Sequence, residues 1–243
     1  MSKPDLHFEN CSDCPIRHRA VCSRCETDEL LALEKIKSYK TYAAGETIAW
    51  RGAPLDFVAS VVTGVVHLSK TLEDGRTQMV GLLLPSDFIG RPGRRSVKFD
   101  ITATTDVTLC RFERLQFERM LDDTPHVSER LMELALDDLD AARDWMVLLG
   151  RKTAREKIAT FLELLARRSA LDLDGTPTAI EMPLTRDQIA DFLGLTLETV
   201  SRQMNALKSD GIISFSGRKH IDITDHAALQ RVSGDQDGAE LSF

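Results

Sequence analysis

The spacing of apolar residues changes period near Pro125, and that change divides the chain. Upstream, between Lys40 and Phe112, the period is two. Phe57, Ala59 and Val61 alternate with Val58, Ser60 and Val62, Thr63-Gly64 makes a turn, and Val65 to Lys70 follows. Glu73-Asp74-Gly75-Arg76 then supplies a hairpin turn into Thr77 to Leu84. Short strands punctuated by Gly45, Gly52, Gly64, Gly75 and Gly90 predict a β-roll or barrel. Downstream the period is helical through Gly150, with two seams at 3-4 spacing. One runs Val127, Leu131, Leu134, Asp138, Ala141, Trp145, Leu148; the other runs Met132, Ala135, Leu139, Ala142, Met146, Leu149. A surface helix needs one apolar face. Two faces suit a helix that packs one on the roll and the other on a partner chain, the alternative being burial between two domains.

A second helix is expected from Thr153 to Arg168, followed by a loop over Asp172 to Pro177. Pro183-Leu184-Thr185-Arg186-Asp187-Gln188 then places Thr185 as N-cap with Gln188 three residues on, the spacing of a capping box. Ile189, Ala190, Phe192 and Leu193 form the inner face, and Gly194 permits the left-handed backbone of a tight turn. Thr196 caps Leu197 to Lys208, whose Val200, Met204 and Leu207 point inward and leave Glu198, Ser201, Arg202 and Asn205 outside. Gly211 ends that helix. Ile212 to Phe215 and His220 to Ile223, joined through Ser216-Gly217-Arg218-Lys219, make a hairpin wing. A second helix so presented enters the major groove of DNA. There Arg202 can take both guanine acceptors, Glu198 can accept from a cytosine amino group, and Ser201 can reach a base edge or phosphate. Thr185, Thr196, Arg218 and Lys219 are expected phosphate contacts. The bland alternative is an i, i+4 surface ion pair between Glu198 and Arg202.

Four of the five cysteines, Cys11, Cys14, Cys22 and Cys25, lie in the first 25 residues, and Cys110 lies far downstream. Zinc held by four thiolates, an iron–sulfur cluster with three ligands near each other and one remote, and a redox CxxC pair all satisfy this spacing. Thr27-Asp28-Glu29-Leu30 opens a short helix directly after them. The resulting organisation is a cysteine-rich segment over 1–28, a sensor roll over 29–122, and a dimerisation helix over 123–151. A winged helix-turn-helix over 152–229 and a polar tail without fixed structure over 230–243 complete it.

Leu195-Thr196-Leu197-Glu198-Thr199-Val200-Ser201-Arg202 resembles the recognition helix of the CRP/FNR superfamily of bacterial transcription regulators. Gly64 to Leu84 with Asp87-Phe88-Ile89-Gly90 resembles that superfamily's effector-binding β-roll. The likeness spans roughly Cys11 to Asp225, and is strongest to the oxygen-sensing FNR branch of alphaproteobacterial type. It implies an α+β fold with a cyclic-nucleotide-binding-like roll, a dimerisation helix and a winged helix-turn-helix. It further implies a homodimer on a palindromic double-stranded operator with TTGAT-type half-sites ~34 Å apart, and RNA polymerase as a partner. The same resemblance implies an oxygen-labile [4Fe-4S] cluster held by Cys11, Cys14, Cys22 and Cys110. Cys25 is the alternative to Cys22, because seven residues separate Cys14 from Cys22 and most relatives have fewer. Arg17, His18 and Arg19 fall inside the ligand loop. Nucleotide binders of the superfamily carry a Glu and a phosphate-holding Arg-Ser pair; Arg91-Pro92-Gly93 and Val97-Lys98-Phe99-Asp100 stand in those regions, so a cyclic nucleotide is not expected. Where well-known FNR regulators place an Asp in the dimer seam, this chain has Ala142, which removes a repulsive charge.

Composition sets the remaining bounds. The 243 residues, 42% hydrophobic and 28% charged, fit one large domain or two ordinary ones. No apolar run approaches the ~20 residues of a membrane span, and the N-terminus lacks a signal-peptide core, so a cytoplasmic protein is expected. In that compartment thiols stay reduced, favouring a metal site over disulfides. The net charge of −7 argues weakly against nucleic acid, but Arg and Lys concentrate between 151 and 220. No serine-histidine-aspartate set, phosphate-cradling loop or carboxylate pair suggests an enzyme.

Overall fold

The computed structural model describes residues 10–169, 179–217 and 219–234. The chain divides into two compact units, Met1–Leu136 and Asp137–Phe243, and the division falls inside the long helix.

The first unit opens with a 3-10 turn at Cys11–Asp13 and helix α1 (Thr27–Ile36), which the capping box of Glu26 and Glu29 starts. Eight strands follow: β1 (Lys37–Tyr42), β2 (Thr47–Ala49), β3 (Phe57–Thr63), β4 (Val66–Thr71), β5 (Thr77–Leu83), β6 (Phe88–Ile89), β7 (Asp100–Ala103) and β8 (Val107–Glu113). They form two antiparallel sheets, β1-β8-β3-β6 and β2-β7-β4-β5, the roll that the alternating pattern predicts. Gly64 shows why its turn requires glycine: its φ is +81°, and a Cβ there would meet the Asp106 carbonyl oxygen at 2.1 Å.

Strand β3 is buried on both faces, and the parity of its residues separates two cores. Ala59 and Val61 join Val66, Ile89, Ile101, Ala103, Val107 and Leu109 inside the roll. Val58 and Val62 face the other way, with Cys110, Phe112, Phe117, Leu33 and Val127. This second core holds the cysteine segment against β3 and β8. Helix α2 (Arg114–Asp123), which the sequence reading did not anticipate, packs there through Phe117, whose ring lies 5.5 Å from that of Phe112.

Helix α3 (Pro125–Arg151) has the length expected from its period. Its first seam serves two cores rather than the roll alone. Val127, Leu131 and Leu134 belong to the core beside the roll. Ala141, Trp145 and Leu148 are buried in the second unit, where the Trp145 ring stacks on Phe192 at 4.1 Å. Asp138, between the two sets, is exposed, so the carboxylate in this seam marks where one core gives way to the other. The predicted dimerisation helix is therefore part of both units.

The second unit continues with α4 (Ala154–Ser169), β9 (Ala179–Glu181), α5 (Arg186–Leu193), α6 (Leu197–Ser209), β10 (Ile213–Phe215), β11 (His220–Ile223) and α7 (His226–Ser233). The wing is a three-stranded sheet, β10-β11-β9, one strand more than the expected hairpin. The structure also corrects the expected tail. Residues 230 to 233 belong to α7, Asp225 caps that helix, and Ser233 is buried. The loop over 172–177 and the tail from 235 onward lie outside the described residues.

Candidate cysteine centre and nucleic-acid interface

Four of the five cysteines meet at one place. Cys11, Cys14, Cys22 and Cys110 line a small, largely enclosed cavity with Ile16, Ala20, Val21, Leu33, Tyr39, Ser60 and Phe112. Local structure explains the convergence. The 3-10 turn at Cys11–Asp13 brings Cys11 and Cys14 together, with the Cys14 amide donating to the Cys11 carbonyl. Ile16, Ala20 and Val21 bury themselves in the second core and carry the chain back toward the sheet. Arg17 donates from its two terminal nitrogens to the Cys22 carbonyl (2.6 Å) and the Cys25 carbonyl (2.9 Å), closing the loop on itself. Cys110 enters from β8, where register sets it between Tyr39 of β1 and Ser60 of β3. Cys25 is 7% exposed in the second core and does not line the cavity.

All five cysteines are free thiols. Burial, the largest cause, pushes every one above the ordinary value; Cys22 rises to about 11 and Cys25 to about 12. Mutual repulsion among the thiols adds to this, and Lys37, 3.7 Å from the Cys11 sulfur, and Arg17 oppose it. Four thiols so placed would become thiolates only with a compensating positive centre among them. Among the described residues no three Cys, His, Asp or Glu side chains converge tightly enough for a single ion. The thiols surround a volume rather than a point, and every ligand atom is sulfur. Such a donor set fits a multinuclear iron–sulfur group.

The cysteine loop is tied to the start of α3. Arg24 pairs with Glu133 at 2.6 Å, and Glu133 also pairs with Arg130 at 3.1 Å. Arg130 in turn donates to the Arg19 carbonyl at 2.8 Å. Sequence reading missed these partners, and Lys37, Tyr39 and Ser60, because their proximity depends on register and folding. One signal was available: a serine between Val58 and Val62 in an otherwise apolar row.

On α3 the second seam is solvent-exposed. Met132 is 66% exposed and Met146 72%, and Ala135, Leu139 and Ala142 lie exposed with them. Leu149 is half-buried. Leu136 and Val147, outside the predicted seam, widen the apolar stripe.

In the second unit the reader is ordered by its own side chains. Thr185 and Gln188 close the expected capping box on α5, and Gly194 ends that helix with φ +62°. Thr196 caps α6 by accepting from the Thr199 amide at 3.3 Å. Both threonine oxygens, expected to meet phosphate, accept as caps; a hydroxyl that accepts keeps its proton to donate, and the remaining amides of the helix N-termini also face an anion there. Val200, Met204 and Leu207 are buried, whereas Glu198, Arg202 and Asn205 are exposed and Ser201 half-exposed. Glu198 and Arg202 form no ion pair with each other among the described residues. Hydrogen bonding from its own amide, then from Thr196, lowers the Glu198 carboxyl below its ordinary value. It is therefore an ionised acceptor, as base reading requires. Lys219 is exposed on the wing; Arg218 lies outside the described residues. Arg186 and Lys208 flank the Phe215 ring at 5.8 and 5.5 Å, adding positive charge near the wing.

A β-roll joined through a long helix to a winged helix-turn-helix defines the class of two-part transcription regulators. Residues 39–124 match the family model of the cyclic nucleotide-binding domain, and residues 156–232 that of the Crp-like helix-turn-helix domain. The chain is 58% identical over 237 residues to the transcriptional activator protein FnrL of Cereibacter sphaeroides, covering 96% of each. It is 41% identical to the nitrogen fixation regulation protein FixK of Bradyrhizobium diazoefficiens, covering 88% of this chain and 89% of that one. The solved structure of FixK2 from Bradyrhizobium japonicum superposes with a TM-score of 0.75 at 34% identity, covering 81% of this chain and 97% of that one. The chain belongs to the CRP/FNR family, and is a DNA-binding transcriptional activator of FNR/FixK type, not an enzyme. Among the described residues, no helix is long and apolar enough to cross a membrane.

Proposed function

We propose that this regulator senses oxygen through a [4Fe-4S] cluster held by Cys11, Cys14, Cys22 and Cys110, and that it binds TTGAT-type inverted repeats as a homodimer to control anaerobic gene expression. The observation that carries the reading is the set of four thiols, Cys11 and Cys110 buried and Cys14 and Cys22 half-buried, around one largely enclosed cavity. Cys22 is preferred over Cys25 because Cys22 lines that cavity and Cys25 does not. When bound, the cluster supplies an oxygen-labile link between the N-terminal loop and the sheet.

The chain's own residues do the rest. While Cys110 and the loop cysteines share one centre, the loop is held against β3 and β8. Its contacts through Arg24 and Arg19 to Glu133 and Arg130 then hold the start of α3. The exposed stripe from Met132 through Ala135, Leu139, Ala142 and Met146 to Leu149 packs on the same stripe of a second subunit, and so spaces two α6 helices for a palindrome. Glu198, Ser201 and Arg202 read bases, while Thr185, Thr196, Arg218 and Lys219, with the free amides at the N-termini of α5 and α6, hold phosphates. With the thiols no longer sharing one centre, the loop would be free of β8 and this arrangement weaker. Only a few kcal/mol of difference between the two arrangements is needed. With Ala142 in the stripe, the dimer persists after the thiols are released, and control acts through the orientation of the readers. The roll serves as scaffold rather than nucleotide receptor, the protein works in the cytoplasm, and RNA polymerase is the partner at promoters.

Purification without oxygen tests this. The reading requires about four iron and four sulfide per chain, a visible charge-transfer band, and binding to an inverted-repeat operator that air weakens. Colourless protein containing zinc, with operator affinity indifferent to air, would overturn it.

A further inference from the structure

The cysteine cavity contains one polar group that the thiols do not explain. Ser60 is 2% exposed in the middle of β3, and its hydroxyl has no hydrogen-bond partner among the described residues. It lines the same cavity as Cys11, Cys14, Cys22 and Cys110. Register sets it directly opposite Cys110, and Tyr39 occupies the corresponding position on the far side of that cysteine. The row neighbours of Ser60 on β3, Val58 and Val62, are apolar and buried.

A buried hydroxyl without a partner destabilises a fold, and alanine would fill this position at lower cost. Serine in an apolar row therefore points to an acceptor that arrives with a ligand. Neutral thiols are weak acceptors, whereas metal-bound thiolates and sulfides carry the charge that makes sulfur a good one. We propose that the Ser60 hydroxyl donates a hydrogen bond to a sulfur atom of the iron–sulfur centre, and that this bond slows loss of the centre in air. Donation to sulfur favours the more negative oxidation level and so resists oxidative loss. Ser60 thus acts as a tuning residue, and the assignment rests on the cluster reading above.

The test uses the full-length protein, purified without oxygen, as wild type and as Ser60→Ala, Ser60→Thr and Ser60→Val. Three quantities are read: iron and sulfide per chain, the decay rate of the visible band after mixing with air-saturated buffer, and the melting temperature of the metal-free form. Ser60→Ala should load as much iron and sulfide as wild type and lose its band roughly fivefold faster. Its metal-free form should melt at or above metal-free wild type, because an unpaired hydroxyl has gone. Threonine and valine are nearly equal in shape and differ in the hydroxyl, so Ser60→Val should decay faster than Ser60→Thr. That pair decides the matter if the alanine variant accumulates poorly. Equal decay of Ser60→Ala and wild type, or of the Thr and Val variants, overturns the proposal and leaves the cluster reading standing. A metal-free Ser60→Ala that melts well below wild type shows a structural role and overturns it also. Wild type without iron and sulfide removes the cluster reading itself, and this assignment with it.

Discussion

Thr185 and Thr196 accept through their hydroxyls to cap the two helices of the reader, whereas Ser60, in the wall of the cysteine cavity, has a hydroxyl with no partner among the described residues. The same contrast runs through both regions. Around α6 the buried side is apolar, both helix starts are capped, and the residues expected to read DNA stand in solvent. Around the cavity, thiols are buried or half-buried, pushed toward the neutral form, and set about one small cavity. A reader can be finished before its partner arrives, since DNA supplies no part of its fold. A sensor of the proposed kind draws part of its stability from the group it holds, so that the group's presence changes the energy of the surrounding structure.

The sharpest way to break the contrast is to remove one thiol. Cys14→Ser should abolish the iron and sulfide content and the visible band, while Cys25→Ser, altered outside the cavity, should keep both. Equal loss in the two variants would contradict the assigned ligand set. Next in size is the stripe on α3. Leu139→Asp buries an unpaired carboxylate in the proposed interface, at a cost of several kcal/mol. Sedimentation should show monomer, whereas wild type remains dimeric even after air exposure because Ala142 carries no charge. A third change touches only the reader. Arg202→Ala should lower operator affinity roughly a hundredfold over two half-sites, with iron content and far-ultraviolet circular dichroism unchanged.

The smallest effect concerns pH. His126 lies 3.0 Å from Glu29, whose hydrogen bond and charge raise the imidazole above 6.5. Glu26 and Glu129 add to this in the same direction. The folded state thus favours the protonated ring. The stabilisation is complete below the ordinary histidine value and is lost as pH rises through the elevated one. This group is half-exposed, so the expected readout is a slight fall in melting temperature as pH rises past the ordinary histidine value, absent in His126→Gln.

The two regions also differ in how much the sequence disclosed. The reader is local. The Thr185–Gln188 capping box, the Thr196 cap, the Gly194 turn and the inward spacing of Val200, Met204 and Leu207 are each set by near neighbours in sequence, and the structure has each where the pattern placed it. What was missed there is β9, a third wing strand that pairs with β11, and α7, whose short polar sequence hides an N-cap at Asp225 and a buried Ser233. The proposed sensor is non-local. Its thiols were visible as residues, but their meeting depends on Cys110 and Ser60 pairing across β8 and β3, and on a loop closed by Arg17. No periodicity records such pairings. Helix α3 falls between the two cases. Its apolar positions were legible, yet the sharing of one seam between two cores was not, because only tertiary packing assigns Val127 to one unit and Trp145 to the other.

The central claim is that occupancy of the cysteine cavity controls the grip of α6 on DNA. It is tested most directly by following a single anaerobic sample through stepwise addition of oxygen, recording the visible band and the affinity for an inverted-repeat operator at each step. The account predicts that affinity falls in proportion to the band. Affinity that holds constant while the band disappears would contradict it.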